Sequence, residues 1–197
     1  SMSKMKLLGP KMQALRERRS RREFDPAPLE PQILSNLMWA AAGVNRPALG
    51  GRTAPSALNA QEIDVYVALP EGLYRHDPST HALQLVSATD VRRVTGYQDF
   101  VDSAPLELIF VADYARMKLV PAAQRESYAS VAAGAMAQNV YLYCASAGLA
   151  TVIRAWIDRH ALAPDRPGDR HGSELQRCRA CAGHRGQHLW FGAGRVG

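Results

Sequence analysis

Four arginines and one serine are consecutive near the start of the chain, in the segment Arg18-Arg19-Ser20-Arg21-Arg22-Glu23-Phe24. A guanidinium group carries a permanent charge on a planar fork that matches the oxygens of a phosphate or a carboxylate. A serine hydroxyl adds a small donor beside that charge. We therefore predict that this segment binds an anion.

A second stretch of possible chemical interest runs from Val44 to Gln61 and is irregular. It contains Gly50-Gly51 and ends in Pro55-Ser56-Ala57-Leu58-Asn59-Ala60-Gln61. Glycine and proline let a backbone approach a ligand, but they equally form a plain loop, and taken alone the loop is favoured. No nucleophile or acid–base pair stands out, so no catalytic side chain is predicted.

The composition indicates one folded domain that carries excess positive charge. The chain has 197 residues, of which 47% are hydrophobic and 21% charged, far from the signature of disorder. Its formal net charge of +6 suits a nucleic acid, a membrane surface or a phosphorylated ligand. Aromatic residues are only 7% and do not alternate with the arginines, which argues against a stacking platform for single-stranded nucleic acid.

The cysteine content and the hydropathy indicate a reducing compartment. Three cysteines form no disulfide framework, and no apolar run approaches the length of a membrane-spanning helix. We expect a cytoplasmic protein with no membrane partner.

Three helices are predicted from apolar spacing and from their boundary residues. The first runs from Met12 into the arginines, and the second runs from Pro31 to Gly43, with Met38 and Trp39 packed in the core. The third, rich in alanine, spans Gln124 to Ala147 and suits close helix packing or a subunit interface.

The strands are predicted from alternation and from short apolar runs, at 63–69, 73–75, 82–86, 106–111 and 149–157. The strands at 73–75 and 82–86 form a hairpin. His76 and His81 flank its turn, and we interpret them as solvated rather than as metal ligands.

The chain changes character after Ala163, where arginine, glycine, histidine and cysteine dominate and no strand-like run is found. We therefore divide it into 1–163 and an atypical tail, 164–197. The tail could be a metal site, a disordered basic segment, or the product of a slipped reading frame. The metal interpretation is weak because the spacing is too short for a finger loop in the candidate ligands Cys178, Cys181, His184 and His188. No metal is predicted.

Three motifs occur in a fixed order along the first four-fifths of the chain. They are Arg-Arg-Ser-x-Arg-x-Phe at 18–24, Pro-Ser-x-x-Asn-x-Gln at 55–61, and Gln138-Asn139 on a small-residue helix that ends in Gly148-Leu149. Together they resemble the nitroreductase family of flavin enzymes. The stretch Gly51-Arg52-Thr53-Ala54-Pro55-Ser56 looks closest to its branch related to SagB-type dehydrogenases.

The resemblance implies an α+β fold in which helices wrap a central, mainly antiparallel sheet. It also implies an intertwined homodimer with FMN at the subunit interfaces, and hydride transfer from NAD(P)H to a small electrophile such as a nitroaromatic or a quinone. Two alternatives stay open: a flavin-binding protein without efficient turnover, and a basic nucleic-acid-binding module.

The resemblance also assigns flavin contacts to individual residues. Arg18, Arg19 and Ser20 correspond to phosphate ligands, and Arg22 to a cation near the ribityl chain and pyrimidine ring; Arg21 falls in the variable slot and is expected to be solvated. Pro55, Ser56 and Asn59 would come from the partner subunit. The backbone donor to flavin N5 falls at Ala155 or, less directly, at Trp156.

The tail departs from the pattern of the family, which usually finishes with another strand and a basic residue on the phosphate. Arg195 is the nearby candidate for that cation. Because a family-like segment is followed by an unrelated composition, we favour the slipped reading frame as the explanation of 164–197.

Overall fold

The computed structural model describes residues 9–92, 104–154 and 188–196. These residues form three α-helices and nine strands, and seven of the strands make one principal sheet. The helices are α1 (Pro10–Glu17), α2 (Pro31–Ala42) and α3 (Ala122–Ser146); the strands are β1 (Phe24–Asp25), β2 (Val44–Arg46), β3 (Gly51–Arg52), β4 (Ile63–Leu69), β5 (Gly72–Asp77), β6 (Ala82–Ser87), β7 (Leu106–Ala112), β8 (Leu149–Arg154) and β9 (His188–Val196).

The principal sheet is antiparallel at every strand pair among the described residues. Its strands follow the order β8, β9, β7, β4, β5, β6, and β1 pairs with the last two residues of β9. Strand β7 is buried along its whole length and lies in the middle of the sheet, as its apolar run predicts. The predicted α+β architecture with a mainly antiparallel sheet is confirmed.

The core forms where α2 and α3 pack on this sheet. Its small members on α3 are Ala129, Ala132, Ala133 and Ala137, all buried. Small side chains let the helix backbone approach its neighbours closely. The alanine-rich pattern thus has a packing role, and α3 passes through the centre of the molecule.

Strand β9 corrects the prediction that no strand follows Ala163. Its residues pair with β7 from Leu106 to Val111 and with β8 from Leu149 to Arg154. The apolar sequence Leu189-Trp190-Phe191 was hidden by the surrounding glycines and arginine. The two strands with which β9 pairs, β7 and β8, are strongly apolar. Pairing with them, rather than the local sequence of β9, therefore determines that this segment is a strand.

Gly194 of β9 lies where no side chain would fit. A Cβ added there would sit 2.6 Å from Cδ of Pro105. Arg195, the candidate phosphate cation, instead forms an exposed ion pair of 2.9 Å with Glu30. Residues 164–187, with Cys178, Cys181 and His184, lie outside the described residues, and the domain division there remains a prediction.

The interpretation of His76 as a solvated turn residue is wrong. Its side chain is 2% exposed, although His81 is exposed as expected. His76 lies on β5 and is covered by α2, where Nε2 is 3.3 Å from Nδ1 of His81 and Nε2 of His81 is 2.9 Å from the hydroxyl of Ser35. The face of the hairpin that carries His76 packs against α2. The local turn pattern could not reveal this contact, because α2 lies in a distant part of the sequence.

Trp39 differs from its prediction as well. Met38 is buried in the core as expected, but Trp39 is 47% exposed. The irregular stretch after α2 also contains an unpredicted ribbon, in which β2 pairs with β3. These two strands are too short to produce a visible alternation.

Candidate functional site

The arginine segment begins where α1 ends. The backbone N–H of Arg18 caps the helix by donating to the carbonyl of Ala14 at 2.9 Å. The chain then extends toward β1, and the N–H of Arg21 donates to the carbonyl of Thr151 on β8 at 3.0 Å. The segment is therefore attached at both ends to regular structure.

A cleft of about 700 Å³ opens beside this segment. Its volume is in the range of small-molecule sites. Four arginines supply its charge, and the end of α3 and the start of β8 supply its floor; the lining residues are Arg16, Glu17, Arg18, Arg19, Arg21, Ala145, Gly148 and Leu149. Arg21, which was expected to be solvated, lies on this lining.

Tyr141 on α3 connects the arginine segment to the core. Its hydroxyl oxygen is 2.8 Å from the hydroxyl of Ser20 and accepts a hydrogen bond of 2.9 Å from the N–H of Ile153. The guanidinium carbon of Arg18 lies 5.2 Å from the centre of the tyrosine ring, within the range of a cation–π contact. Tyr141 is a residue of the site that was not predicted from the sequence.

One signal could have identified Tyr141. It lies four positions after Ala137, so helical spacing places it on the buried face of α3, and a buried tyrosine hydroxyl usually has a hydrogen-bond partner. The partners come from segments distant in sequence. For that reason helical spacing alone did not show which groups they would be.

The carboxyl end of α3 also favours the arginines. The helix ends at Ser146, and Gly148 follows with a φ of 68°, in the left-handed region that glycine adopts without strain. Cations near the last turn of a helix interact favourably with its dipole. The arginine segment thus stabilises the fold as well as offering positive charge to a ligand.

The second motif, Pro55 to Gln61, is tied to the edge of the sheet by side-chain hydrogen bonds. Ser56 donates to Glu62 at 2.6 Å and accepts from the N–H of Gln61 at 2.8 Å. Leu58, Asn59 and Gln61 all have φ values near 50°, an uncommon conformation for residues with a side chain. Such a backbone persists only when the surrounding contacts hold it.

Arg116 supplies several of those contacts. Its guanidinium donates to the carbonyl of Gln61 at 2.8 Å, to Asp113 at 3.0 Å, and to the carboxylate of Asp64. A neighbouring cation, Arg52, is half-buried, and burial together with the charge of Arg116 lowers its pKa. The network holds Pro55–Gln61 against β4.

Within one subunit, the two motifs meet α3 at different levels. The Pro55–Gln61 side packs near Ala132 and Met136, whereas the arginine cleft reaches Ala145. Nine residues of helix separate Met136 from Ala145, which is about 13 Å along the axis. The structure therefore does not bring the two sets of predicted residues into one cleft of a single subunit.

The predicted site residues differ in their exposure to solvent. Arg18 is half-buried at the cleft, and Ser56 is half-buried in its own hydrogen-bond network. Ala155 and Trp156 lie outside the described residues. The exposed members of the set are Arg19, Ser20, Arg22, Pro55 and Asn59.

The described part of the chain contains neither a cluster of metal-ligating side chains nor a helix suited to cross a bilayer. No three side chains of the metal-ligating types His, Cys, Asp and Glu come together there. None of the helices in the described ranges has both the length and the apolar character needed to cross a bilayer.

Comparison with known proteins supplies an independent classification. A model described as the nitroreductase family matches residues 15–164. A protein of Methanocaldococcus jannaschii, named "Putative nitroreductase", is 34% identical over 146 residues, which are 69% of this chain and 73% of the relative.

Solved structures share the fold. A crystal structure described as a "putative nitroreductase" from Ralstonia eutropha JMP134 is 46% identical, with a TM-score of 0.81, and the match covers 100% of this chain and 87% of that one. The Escherichia coli microcin synthetase McbBCD complex, with truncated pro-MccB17 bound, gives a TM-score of 0.69 at 14% identity, covering 100% of this chain and 76% of the other. At that identity the similarity shows the fold alone.

Proposed function

This chain belongs to the nitroreductase family, and from that premise we propose that it is an FMN-dependent oxidoreductase. The reaction is the transfer of a hydride from NAD(P)H to a small electrophilic acceptor such as a nitroaromatic or a quinone. Bound FMN supplies the hydride acceptor and donor at its N5 atom. The protein supplies the binding groups, their orientation and the local charge.

The arginine cleft is the observation that carries this proposal. FMN ends in a phosphate dianion, and the donors around the cleft are the guanidinium groups of Arg16, Arg18, Arg19 and Arg21. Guanidinium groups form strong, charge-assisted hydrogen bonds to phosphate oxygens. The residues present therefore fit the phosphate end of the cofactor.

The predicted residues divide between the phosphate and the ring system of FMN. Arg18, Arg19 and Ser20 bind the phosphate. Arg22 contributes a permanent positive charge that would stabilise the reduced, more negative flavin and raise its reduction potential. By the family resemblance, the backbone donor to N5 would fall at Ala155.

A homodimer would complete the site with Pro55, Ser56 and Asn59 of a second copy. Their separation from the arginine cleft along α3 supports this arrangement. Exposed apolar side chains on this motif and on α3 would be covered by a second copy: Leu58 is 69% exposed, and Tyr128 and Val131 of α3 are 44% and 69% exposed. Apolar patches of this kind are typical of subunit interfaces.

Two finer assignments belong to the proposal. We place the chain in the branch related to SagB-type dehydrogenases, on the residues Gly51 to Ser56. We place it in the cytoplasm, where NAD(P)H is abundant and where its cysteines would stay reduced.

The test begins with the purified full chain. We expect a yellow protein whose FMN is released on denaturation and which oxidises NADH or NADPH when a nitroaromatic or a quinone is added. Light scattering should give twice the mass of 21.5 kDa. A colourless protein that cannot be reconstituted with FMN would contradict the proposal.

Two further outcomes differ from an active FMN enzyme and from a protein that binds no FMN. FMN that is tightly bound, with no oxidation of NADH or NADPH in the presence of any acceptor, would favour a flavin-binding protein without efficient turnover. Weak, sequence-independent nucleic-acid binding that falls steeply with salt would favour the basic binding module instead.

A further inference from the structure

We propose that Tyr141 is the positioning residue of the phosphate site, holding Ser20 by its hydroxyl and Arg18 by its ring. The inference rests on the proposed binding of FMN and deepens it. Tyr141 is 7% exposed, so it is anchored in the core rather than offered to the ligand. Its influence on the phosphate is exerted through the two residues that it contacts.

The hydrogen bonds at the Tyr141 hydroxyl have a direction. The N–H of Ile153 can only donate, so the phenol oxygen accepts that bond at 2.9 Å. The oxygens of Tyr141 and Ser20 are 2.8 Å apart, and either could donate; we assign the proton to the phenol, because a phenol is a stronger acid than an aliphatic alcohol. The serine proton is then left to point outward to an anion.

This direction makes the three donors act as a chain. The N–H of Ile153 polarises the phenol, and the phenol polarises the serine hydroxyl, because successive hydrogen bonds strengthen one another. A serine without this arrangement would rotate among several acceptors. Tyr141 thus turns Ser20 into an oriented donor for a phosphate oxygen.

The ring of Tyr141 restrains Arg18 in the same way. The guanidinium carbon lies 5.2 Å from the ring centre. Arginine loses considerable rotamer freedom when it binds an anion, and a restraint that exists before binding reduces that loss. One aromatic side chain therefore preorganises a guanidinium group that lines the cleft and the hydroxyl of Ser20, which lies between two arginines of the lining.

The backbone near Tyr141 explains why the position is fixed. Thr151 and Ile153 lie two residues apart on β8, so their polar groups face the same edge of the strand. On that edge the carbonyl of Thr151 accepts from Arg21 and the N–H of Ile153 donates to Tyr141. The arginine segment and the tyrosine together cover this edge, and β9 pairs with the opposite one.

The test is to compare FMN with riboflavin, which lacks the phosphate, in Tyr141→Phe. The matched control is Tyr143→Phe, which removes a hydroxyl that donates to the carbonyl of Ile33 on α2 at 3.3 Å. We expect Tyr141→Phe to weaken FMN binding, measured by quenching of flavin fluorescence, about 10-fold, with riboflavin binding changed less than about twofold. The control should leave the ratio of the two affinities unchanged.

A double-mutant cycle separates positioning from loss of structure. If Tyr141 acts partly through Ser20, Ser20→Ala should cost less FMN affinity in the Tyr141→Phe background than in the wild type. Equal losses for FMN and riboflavin, or an unchanged FMN affinity, would overturn the inference while the proposed function stands. A wild-type protein that binds neither flavin would overturn both.

Discussion

The hydroxyl of Ser56 donates a hydrogen bond of 2.6 Å to Oε2 of Glu62. Glu62 is fully buried, and among the described residues no group donates to its Oε1. The same serine oxygen accepts from the N–H of Gln61 at 2.8 Å. A single hydroxyl thus holds the segment from Pro55 to Gln61 on a buried carboxylate.

Ser56→Ala should destabilise the protein by about 2 kcal/mol, because it removes a hydrogen-bond donor from a fully buried carboxyl group. Urea unfolding at neutral pH measures the change. The control is Ser146→Ala, whose hydroxyl donates to a helix carbonyl at the surface and whose loss should cost less than about 0.5 kcal/mol. Equal stabilities of the two variants would contradict this role of Ser56.

Arg18→Ala should weaken FMN binding by roughly 30-fold, the effect of losing a hydrogen bond to a charged group worth about 2 kcal/mol. The content of FMN after gel filtration and the dissociation constant both report it. Lys118→Ala removes an exposed cation outside the cleft and controls for net charge. If Arg18→Ala retains FMN as the wild type does, the phosphate lies elsewhere.

The stability of the protein should fall as the pH is lowered from about 6.5 to about 4. Burial, and then the nearby His81 and Arg52, lower the pKa of His76 to about 4, whereas Asp77 acts in the opposite direction. Below its ordinary pKa of 6.5 the unfolded histidine takes up a proton that the folded one excludes, so acid favours unfolding. Above pH 6.5 the proton uptake of unfolded His76 has no effect on stability. Between pH 6.5 and pH 4 it lowers the free energy of unfolding progressively, by at most about 3 kcal/mol in total.

The measurement is the free energy of unfolding at several pH values for the wild type and for His76→Gln. We expect the variant to lose part of the slope in this range even if it is less stable throughout. His81→Gln, at the exposed member of the pair, should keep most of it. A slope that is identical in the wild type and in His76→Gln would refute the assignment.

Cys144 should not react with thiol reagents in the folded protein. Its side chain is fully buried on α3, and burial raises the pKa of the thiol to about 12. The thiolate, which is the reactive form, is therefore scarce at neutral pH. Iodoacetamide labelling followed by peptide mapping distinguishes Cys144 from Cys178 and Cys181, and labelling in denaturant is the positive control.

Local patterns predicted most of the elements that build the core. The helices that begin near Pro31 and Gln124, and the strands at 63–69 and 106–111, are present because each has an uninterrupted apolar face and clear boundary residues. The order of three motifs was enough to identify the family. These features depend on residues that are close in sequence.

The remaining features depend on contacts between distant segments. Tyr141 meets Ser20 across 121 positions of sequence, and His76 is buried by a helix that precedes it. The sequence of β9 is strand-like only beside β7 and β8. The slipped-frame hypothesis for 164–197 remains a prediction, which the coding DNA and the intact mass would test.

The position of β9 has a consequence for how the chain folds. Strands β7 and β8 precede β9 in the chain, and β9 is the strand that pairs with both of them. Until it arrives, the sequence Leu-Glu-Leu-Ile-Phe-Val-Ala of β7 presents an unpaired edge, and such edges template aggregation. Because this pairing is also long in range, its closure should be a late and slow step of folding. We therefore expect a chain that ends before residues 188–196 to aggregate through the unpaired edge of β7.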